Sequence, residues 1–196
     1  MSFWKRTLFE TFVWVVSFIQ RVLPVSLIKR AFCLAKLRQC CGSSVPVSTQ
    51  FDGMVEIIGT GRVRLGENCR LGRGVQLETQ GDGEIIIGDN VRINTGCVIA
   101  SHSKVVIGND ALIGEYVSIR DANHGIQIDQ LIRLQKHDAS PVCIGNNVWI
   151  GRGCCILKGV FIENGVIVGA NSVVTKNIAA GCVVVGNSCR VINIRD

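Results

Sequence analysis

From residue 45 onward, aliphatic side chains return at every sixth position. Leu65, Leu71 and Leu77 form one set, and Ile87, Ile93 and Ile99 a second. Ile107, Ile113 and Ile119 form a third, Ile144, Ile150 and Ile156 a fourth, and Ile162, Val168 and Val174 a fifth. Glycine often follows, as at Gly66, Gly72, Gly88, Gly108, Gly114, Gly145, Gly151 and Gly169. Four positions after the aliphatic stands something small or β-branched: Cys69, Val75, Val91, Cys97, Val117, Val148, Cys154, Val160, Val166 or Ser172. Neither the 3.6-residue period of a helix nor the alternation of an ordinary strand produces this pattern. A fixed six-residue repeat is the mark of a parallel β-helix, an all-β solenoid in which each turn buries its aliphatics against the next.

The interruptions carry as much information as the repeats. Ile57 to Leu65 is eight residues, Leu77 to Ile87 ten, Ile99 to Ile107 eight and Ile119 to Ile144 twenty-five. Each break follows a third hexad. Three hexads make one triangular coil, so every insertion leaves from the same corner, and the longest, about residues 120–142, is where a site can be built. Twenty-two glycines against three prolines and 6% aromatics suit a chain made of tight, regular turns.

Ten cysteines are present, but no C-x-x-C pair, and the adjacent pairs Cys40-Cys41 and Cys154-Cys155 fit neither a zinc site nor a disulfide framework. Several occupy the small positions of the repeat, where cysteine acts as a compact apolar side chain. That reads as a reduced, cytoplasmic setting. The net charge is +6, with no run of five basic residues to suggest nucleic acid. The excess lies early: Lys5, Arg6, Arg21, Lys29, Arg30, Lys36 and Arg38 stand against the single acid Glu10.

Residues 1–42 follow a different pattern from residues 43–196, which divides the chain into an amphipathic helical segment and the coil. The longest uncharged stretch, Thr11 to Gln20, is too short to span a bilayer. Pro24 is expected to break the segment into two helices. One reading is an interfacial or re-entrant hairpin at the inner face of the cell membrane, with Trp4 and Trp14 at headgroup level and the cations beside anionic lipid. The other is a pair of helices packed on the coil.

The coil resembles the hexapeptide acyltransferase superfamily. The resemblance covers about residues 45–192 and is carried by Pro141-Val-Cys-Ile-Gly-Asn-Asn-Val-Trp-Ile-Gly151, by Val168-Gly-Ala-Asn-Ser-Val-Val-Thr-Lys176 and by Gly186-Asn-Ser-Cys-Arg-Val-Ile192. These stretches look like the branch of galactoside, maltose and nodulation-factor acetyltransferases and of surface-polysaccharide O-acetyltransferases. The resemblance implies a left-handed β-helix, a homotrimer with coenzyme A sites between subunits, acetyl-CoA as co-substrate without a metal, and a saccharide acceptor that the N-terminal segment would meet in lipid-linked form. His124, in Arg120-Asp-Ala-Asn-His-Gly125, matches the family's catalytic histidine, and an imidazole is suited to take a hydroxyl proton near neutrality. A neighbouring carbonyl or carboxylate is expected to hold its tautomer. Asn94, thirty residues earlier, sits at the offset of an acceptor-contacting asparagine. His102, Asn123 and Arg133 become acceptor-binding candidates; His137 reads as a surface loop residue. Trp149, Gly151, Gly169 and Ala170 would line the pantetheine groove, with Lys176 and Arg190 at the phosphates.

Three other readings stand beside this one. A γ-class carbonic anhydrase needs two histidines close in sequence, and the gaps here are 22 and 13 residues. A nucleotide-sugar N-acetyltransferase is the nearest enzymatic competitor, and a non-catalytic coil scaffold is the alternative outside enzymes.

Overall fold

The computed structural model describes residues 25–41 and 45–195, with the helical positions 8, 10, 11, 13–15 and 17. Trp4, Lys5, Arg6, Arg21 and Pro24 lie outside the described residues. Helix α1 runs Val25–Cys41, and the described residues after it are strand and turn with one short 3₁₀ segment. The chain then winds a left-handed parallel β-helix of three faces. The first face stacks β1 (Gln50–Phe51), β4 (Arg70–Leu71), β7 (Arg92–Ile93), β10 (Leu112–Ile113), β15 (Trp149–Ile150), β18 (Ile167–Val168) and β20 (Cys182–Val185). The second stacks β2 (Val55–Gly59), β5 (Val75–Thr79), β8 (Val98–Ser101), β11 (Ser118–Arg120), β16 (Cys155–Ile156) and β19 (Val173–Val174). The third stacks β3 (Val63–Leu65), β6 (Glu84–Ile87), β9 (Lys104–Ile107), β14 (Val142–Ile144) and β17 (Phe161–Ile162).

The register is the one the repeat dictates. Leu71, Ile93, Ile113, Ile150 and Val168 are hydrogen-bonded neighbours up the first face. Leu77, Ile99, Ile119, Ile156 and Val174 climb the second, and Leu65, Ile87, Ile107, Ile144 and Ile162 the third. All fifteen are buried, as are the ten small positions between them. Each coil alone has nothing to cover its aliphatics, so burial comes only by stacking. The corner glycines follow from the same closeness. A Cβ on Gly151 would lie 2.6 Å from the Ala170 nitrogen of the next coil, and one on Gly169 would lie 2.5 Å from Val185 Cγ1. Stacking therefore accounts for both glycines whether or not a ligand passes over them.

Helix α1 belongs to this packing. Leu37 is buried among the core aliphatics and Cys33 is buried against the coil. Arg30 donates to the carbonyls of Val47 and Thr49, and Arg38 donates to that of Val45. Two of the cations read as partners for anionic lipid thus hold α1 over the open end of the coil, as the packed-helix reading expects. Among the described residues no helix is long and apolar enough to cross a membrane. At the other end β21 (Arg190–Ile194) folds back antiparallel on β20 and closes the stack.

Candidate active site

The insertions leave between the second and third faces, at Thr60–Arg62, Gln80–Gly83, His102–Ser103 and Asp121–Pro141. The longest forms a hairpin whose strands β12 (Ala122–His124) and β13 (His137–Ala139) pair antiparallel, with Asn123 opposite Asp138 and His124 opposite His137. Its root is Asp121, fully buried at the corner. The carboxylate accepts from the Ser101 hydroxyl at 2.8 Å, the His102 N–H at 2.7 Å and the Ser103 N–H at 2.9 Å. Beyond the strands, the loop closes on Gln135. Its amide accepts from the Gln127 N–H and donates to the carbonyls of Gln127 and Gln130, each at 2.8 Å. Gly125 is required there, because a Cβ would lie 2.6 Å from Gln135 Oε1.

These elements enclose a cavity of about 260 Å³ lined by Glu78, Ala100, His102, Arg120, Ala122, Asn123, His124 and His137. All three histidines of the chain meet here. His137, read from the sequence as a surface loop residue, is the middle ring. Its centroid is 4.2 Å from that of His102 and 4.6 Å from that of His124, with interplanar angles of 31° and 41°. Partial desolvation, then the neighbouring charges of His102 and His124, hold its protonation below the ordinary imidazole range. The rings lie against one another rather than converging, and among the described residues no group of three or more His, Cys, Asp or Glu is arranged to hold a metal ion. The cavity thus offers rings to take a proton, Arg120 and Asn123 to donate hydrogen bonds and Glu78 to accept them, a lining suited to a polyhydroxylated molecule.

Asn94 is elsewhere. It follows β7, at the corner between the first and second faces, and lines a second cavity of about 500 Å³ with Trp149, Gly151, Arg152, Gly169 and Ala170. Within one chain the whole second face separates Asn94 from His124. The groove candidates Trp149, Gly151, Gly169 and Ala170 do come together with Asn94; Trp149 is 53% exposed, an uncovered aromatic wall. Lys176 and Arg190 are both exposed and lie apart from that cavity, Lys176 beyond β19 and Arg190 on β21. Arg133 is exposed on the short 3₁₀ turn Ile132–Leu134 and is not part of the histidine cavity. No cysteine lines that cavity among the described residues. None of the ten cysteines is in a disulfide, and burial pushes the thiol of Cys97 up to about 11, away from the thiolate a nucleophile needs.

A left-handed coil of hexads that projects a histidine-bearing hairpin from one corner defines an acyltransferase of the hexapeptide class. Residues 62–101 and 141–176 match the family model described as hexapeptide repeat of succinyl-transferase. The chain is 39% identical over 140 residues to the putative lipopolysaccharide biosynthesis O-acetyl transferase WbbJ of Escherichia coli (strain K12), covering 67% of this chain and 71% of that one. It is 37% identical over 99 residues to the galactoside O-acetyltransferase of the same strain, about half of each chain (50% and 48%). Among solved structures, galactoside acetyltransferase in complex with coenzyme A superposes with a TM-score of 0.56 at 25% identity, covering 88% of this chain and 82% of that one. AntD, an N-acyltransferase from Bacillus cereus in complex with dTDP and coenzyme A, shares the fold: TM-score 0.66 at 21% identity, covering 76% of this chain and 83% of that one. The chain belongs to the hexapeptide-repeat acyltransferase family and is an acyltransferase.

Proposed function

We propose that this enzyme moves an acetyl group from acetyl-CoA to a hydroxyl of a saccharide, in the assembly of a cell-surface polysaccharide, with His124 as general base. The observation that carries the proposal is the exposure of the His124 ring in a cavity whose other polar groups, Asn123, His102, Arg120 and Glu78, are hydrogen-bonding groups suited to a sugar. The similarity to a protein named for lipopolysaccharide O-acetyl transfer and to galactoside O-acetyltransferase supports the acceptor class.

His124 takes the proton of the acceptor hydroxyl as that oxygen bonds to the acyl carbon, and returns it to the sulfur as the carbon–sulfur bond breaks. Atoms balance without a covalent acyl-enzyme, in keeping with a cavity free of thiols. The chain's part is positioning and charge stabilisation, with a backbone N–H for the developing oxyanion. The groove of Trp149, Ile167, Gly169 and Ala170 fits an extended, largely apolar pantetheine arm, and the exposed cations Lys176 and Arg190 fit its phosphates. The histidine cavity is smaller than the roughly 300–1,000 Å³ usual for small-molecule sites. A homotrimer in which the Asn94 edge of one copy closes over the His124 hairpin of the next completes it, and Asn94 then reaches the acceptor from the neighbouring subunit.

The exposed apolar side chains Leu8, Val13 and Trp14 of the N-terminal segment, with Leu27 and Phe32 of α1, support peripheral contact with the inner face of the cell membrane, where a lipid-linked acceptor resides. Removal of residues 1–24, which leaves α1 in place, is expected to abolish co-sedimentation with phosphatidylglycerol vesicles.

The test of the activity is thiol release from acetyl-CoA across a panel of sugars, nucleotide-sugars and lipid-linked glycans. His124→Ala is expected to abolish transfer while coenzyme A still binds. Turnover near the wild-type rate in that variant removes His124 as the base.

A further inference from the structure

An imidazole that acts as a base works only when its ring is held in one orientation. A general base is commonly held by a carboxylate or carbonyl that accepts its second N–H. That device is missing here: among the described residues no oxygen accepts a hydrogen bond from the His124 ring, and the nearby carboxylates have other partners, Asp121 at the root of the hairpin accepting from Ser101, His102 and Ser103, Glu78 from Gln80 and Asp138 from Lys158. What touches the His124 ring instead is another ring. His137 stands directly opposite it across the β12–β13 ladder, at 4.6 Å between centroids. On its far side His137 rests on the His102 ring at 4.2 Å, and Asp121 holds the main-chain N–H of His102. The row therefore runs from the buried corner outward, from Asp121 through His102 and His137 to His124.

We infer that His137 is a positioning residue: it fixes the plane of the His124 ring by stacking between it and the corner-anchored His102. The inference rests on the reading of His124 as the base. The groups facing His137 are the imidazoles of His102 and His124, with Glu78 from β5 and Arg120 from β11 on the same cavity wall and Lys136 and Asp138 beside it in the chain. Asp138 is turned away to Lys158. A ring that resists protonation can lie against two others without charge repulsion, and the direction in which His137 is shifted agrees with that. Stacking asks for a flat ring, so phenylalanine should serve in its place and alanine should not.

The chain has three histidines, so single substitutions assign every signal of the full-length protein labelled with ¹³C at histidine Cε1. His137→Ala is expected to move the His124 ring proton downfield, as the shielding of the stacked ring is lost. Thiol release from acetyl-CoA is then read with the best saccharide of the panel, or with water as acceptor if none turns over. In His137→Ala, kcat is expected to fall about a hundredfold with the KM for acetyl-CoA unchanged, and His137→Phe should recover it to within about tenfold of wild type. An unmoved His124 signal in His137→Ala, wild-type kcat in that variant, or a phenylalanine variant as slow as the alanine one overturns the inference. If His124→Ala instead keeps its turnover, the base assignment falls, and the ring signal alone decides whether the contact orders His124.

Discussion

The carboxylate of Asp121 accepts the hydroxyl of Ser101 at 2.8 Å, across one coil step, with neither residue exposed to solvent. The same carboxylate holds the N–H groups of His102 and Ser103, so one buried charge fixes both the short corner turn and the root of the hairpin that carries His124. Asp121→Ala leaves the buried Ser101 hydroxyl and two half-buried main-chain N–H groups without their acceptor and is expected to cost about 3 kcal/mol. Asp121→Asn keeps the shape but turns an NH₂ toward donors and is expected to cost roughly 1–3 kcal/mol. Thermal unfolding checks both values. Both variants should also transfer acetyl groups more slowly than wild type at temperatures where they are folded, because His102 and the hairpin lose their common anchor.

The coil was legible because its chemistry is local and repeated. Leu71, Ile93, Ile113, Ile150 and Val168 stand in one ladder because each coil poses the same burial problem, and the lengths of the breaks at Ile57, Leu77, Ile99 and Ile119 locate the corner without any structure. The site was legible only in part. His124, Asn123 and His102 lie together as expected from the corner they share. His137 reads as a surface loop residue in the sequence because its place depends on pairing across a loop of polar and exposed apolar residues, where no hydrophobic period sets the register. The sequence does hold a faint sign of it in the mirrored runs Ala-Asn-His at 122–124 and His-Asp-Ala at 137–139, which face each other residue for residue. The thirty-residue offset alone hides the separation of Asn94 from His124, but the hexad register encodes it, since Asn94 follows the middle hexad of its set and His124 lies beyond a third.

Trp149 separates ligand contact from folding. It lies outward on the first face beside Leu112 and Ile167, while its neighbours Val148 and Ile150 are buried. Trp149→Ala removes an exposed ring and no core volume, so the unfolding temperature should barely move. If the ring walls the pantetheine groove, the variant should raise the KM for acetyl-CoA about tenfold or more, as expected for losing one aromatic contact of roughly 1–2 kcal/mol, and leave kcat close to wild type. Gly151→Ala cannot serve the same purpose. Its Cβ would collide with Ala170, and a loss of activity there would report on stacking.

His137 also sets a sign for the pH dependence of stability. Its folded value lies below the ordinary 6.5, so on acidification the unfolded chain takes up this proton before the folded one. With more protons on the unfolded state, stability rises with pH through that window. The contribution is present above the ordinary imidazole range and is lost as the pH falls below about 6.5. Because the ring is exposed, the slope is small. Unfolding temperatures recorded between about pH 8 and pH 5 should fall more steeply for wild type than for His137→Asn. Parallel curves, or a steeper fall in the variant, would show that burial and its two neighbours do not disfavour the charged ring.

Leu112 and Ile113 are consecutive residues on β10 with opposite fates, and they separate the stability of the coil from its assembly. Ile113 is fully buried, stacked between Ile93 and Ile150, while Leu112 is 47% exposed between Arg92 and Trp149. Ile113→Ala leaves a cavity that the adjacent coils cannot fill without breaking their hydrogen-bond register, so the cost should fall in the range of about 2–5 kcal/mol found for large-to-small core changes. Leu112→Ser removes surface that water already reaches and should change the stability of a single chain by less than about 0.5 kcal/mol. In a trimer whose shared groove runs along this face, the same substitution weakens association, since aliphatic area there is covered only by the neighbouring copy. Sedimentation at decreasing protein concentration then shows Leu112→Ser dissociating at a higher concentration than wild type, with Ile113→Ala losing its fold instead. If Leu112→Ser sediments as wild type does at every concentration, the first face is not the one that meets the neighbouring subunit.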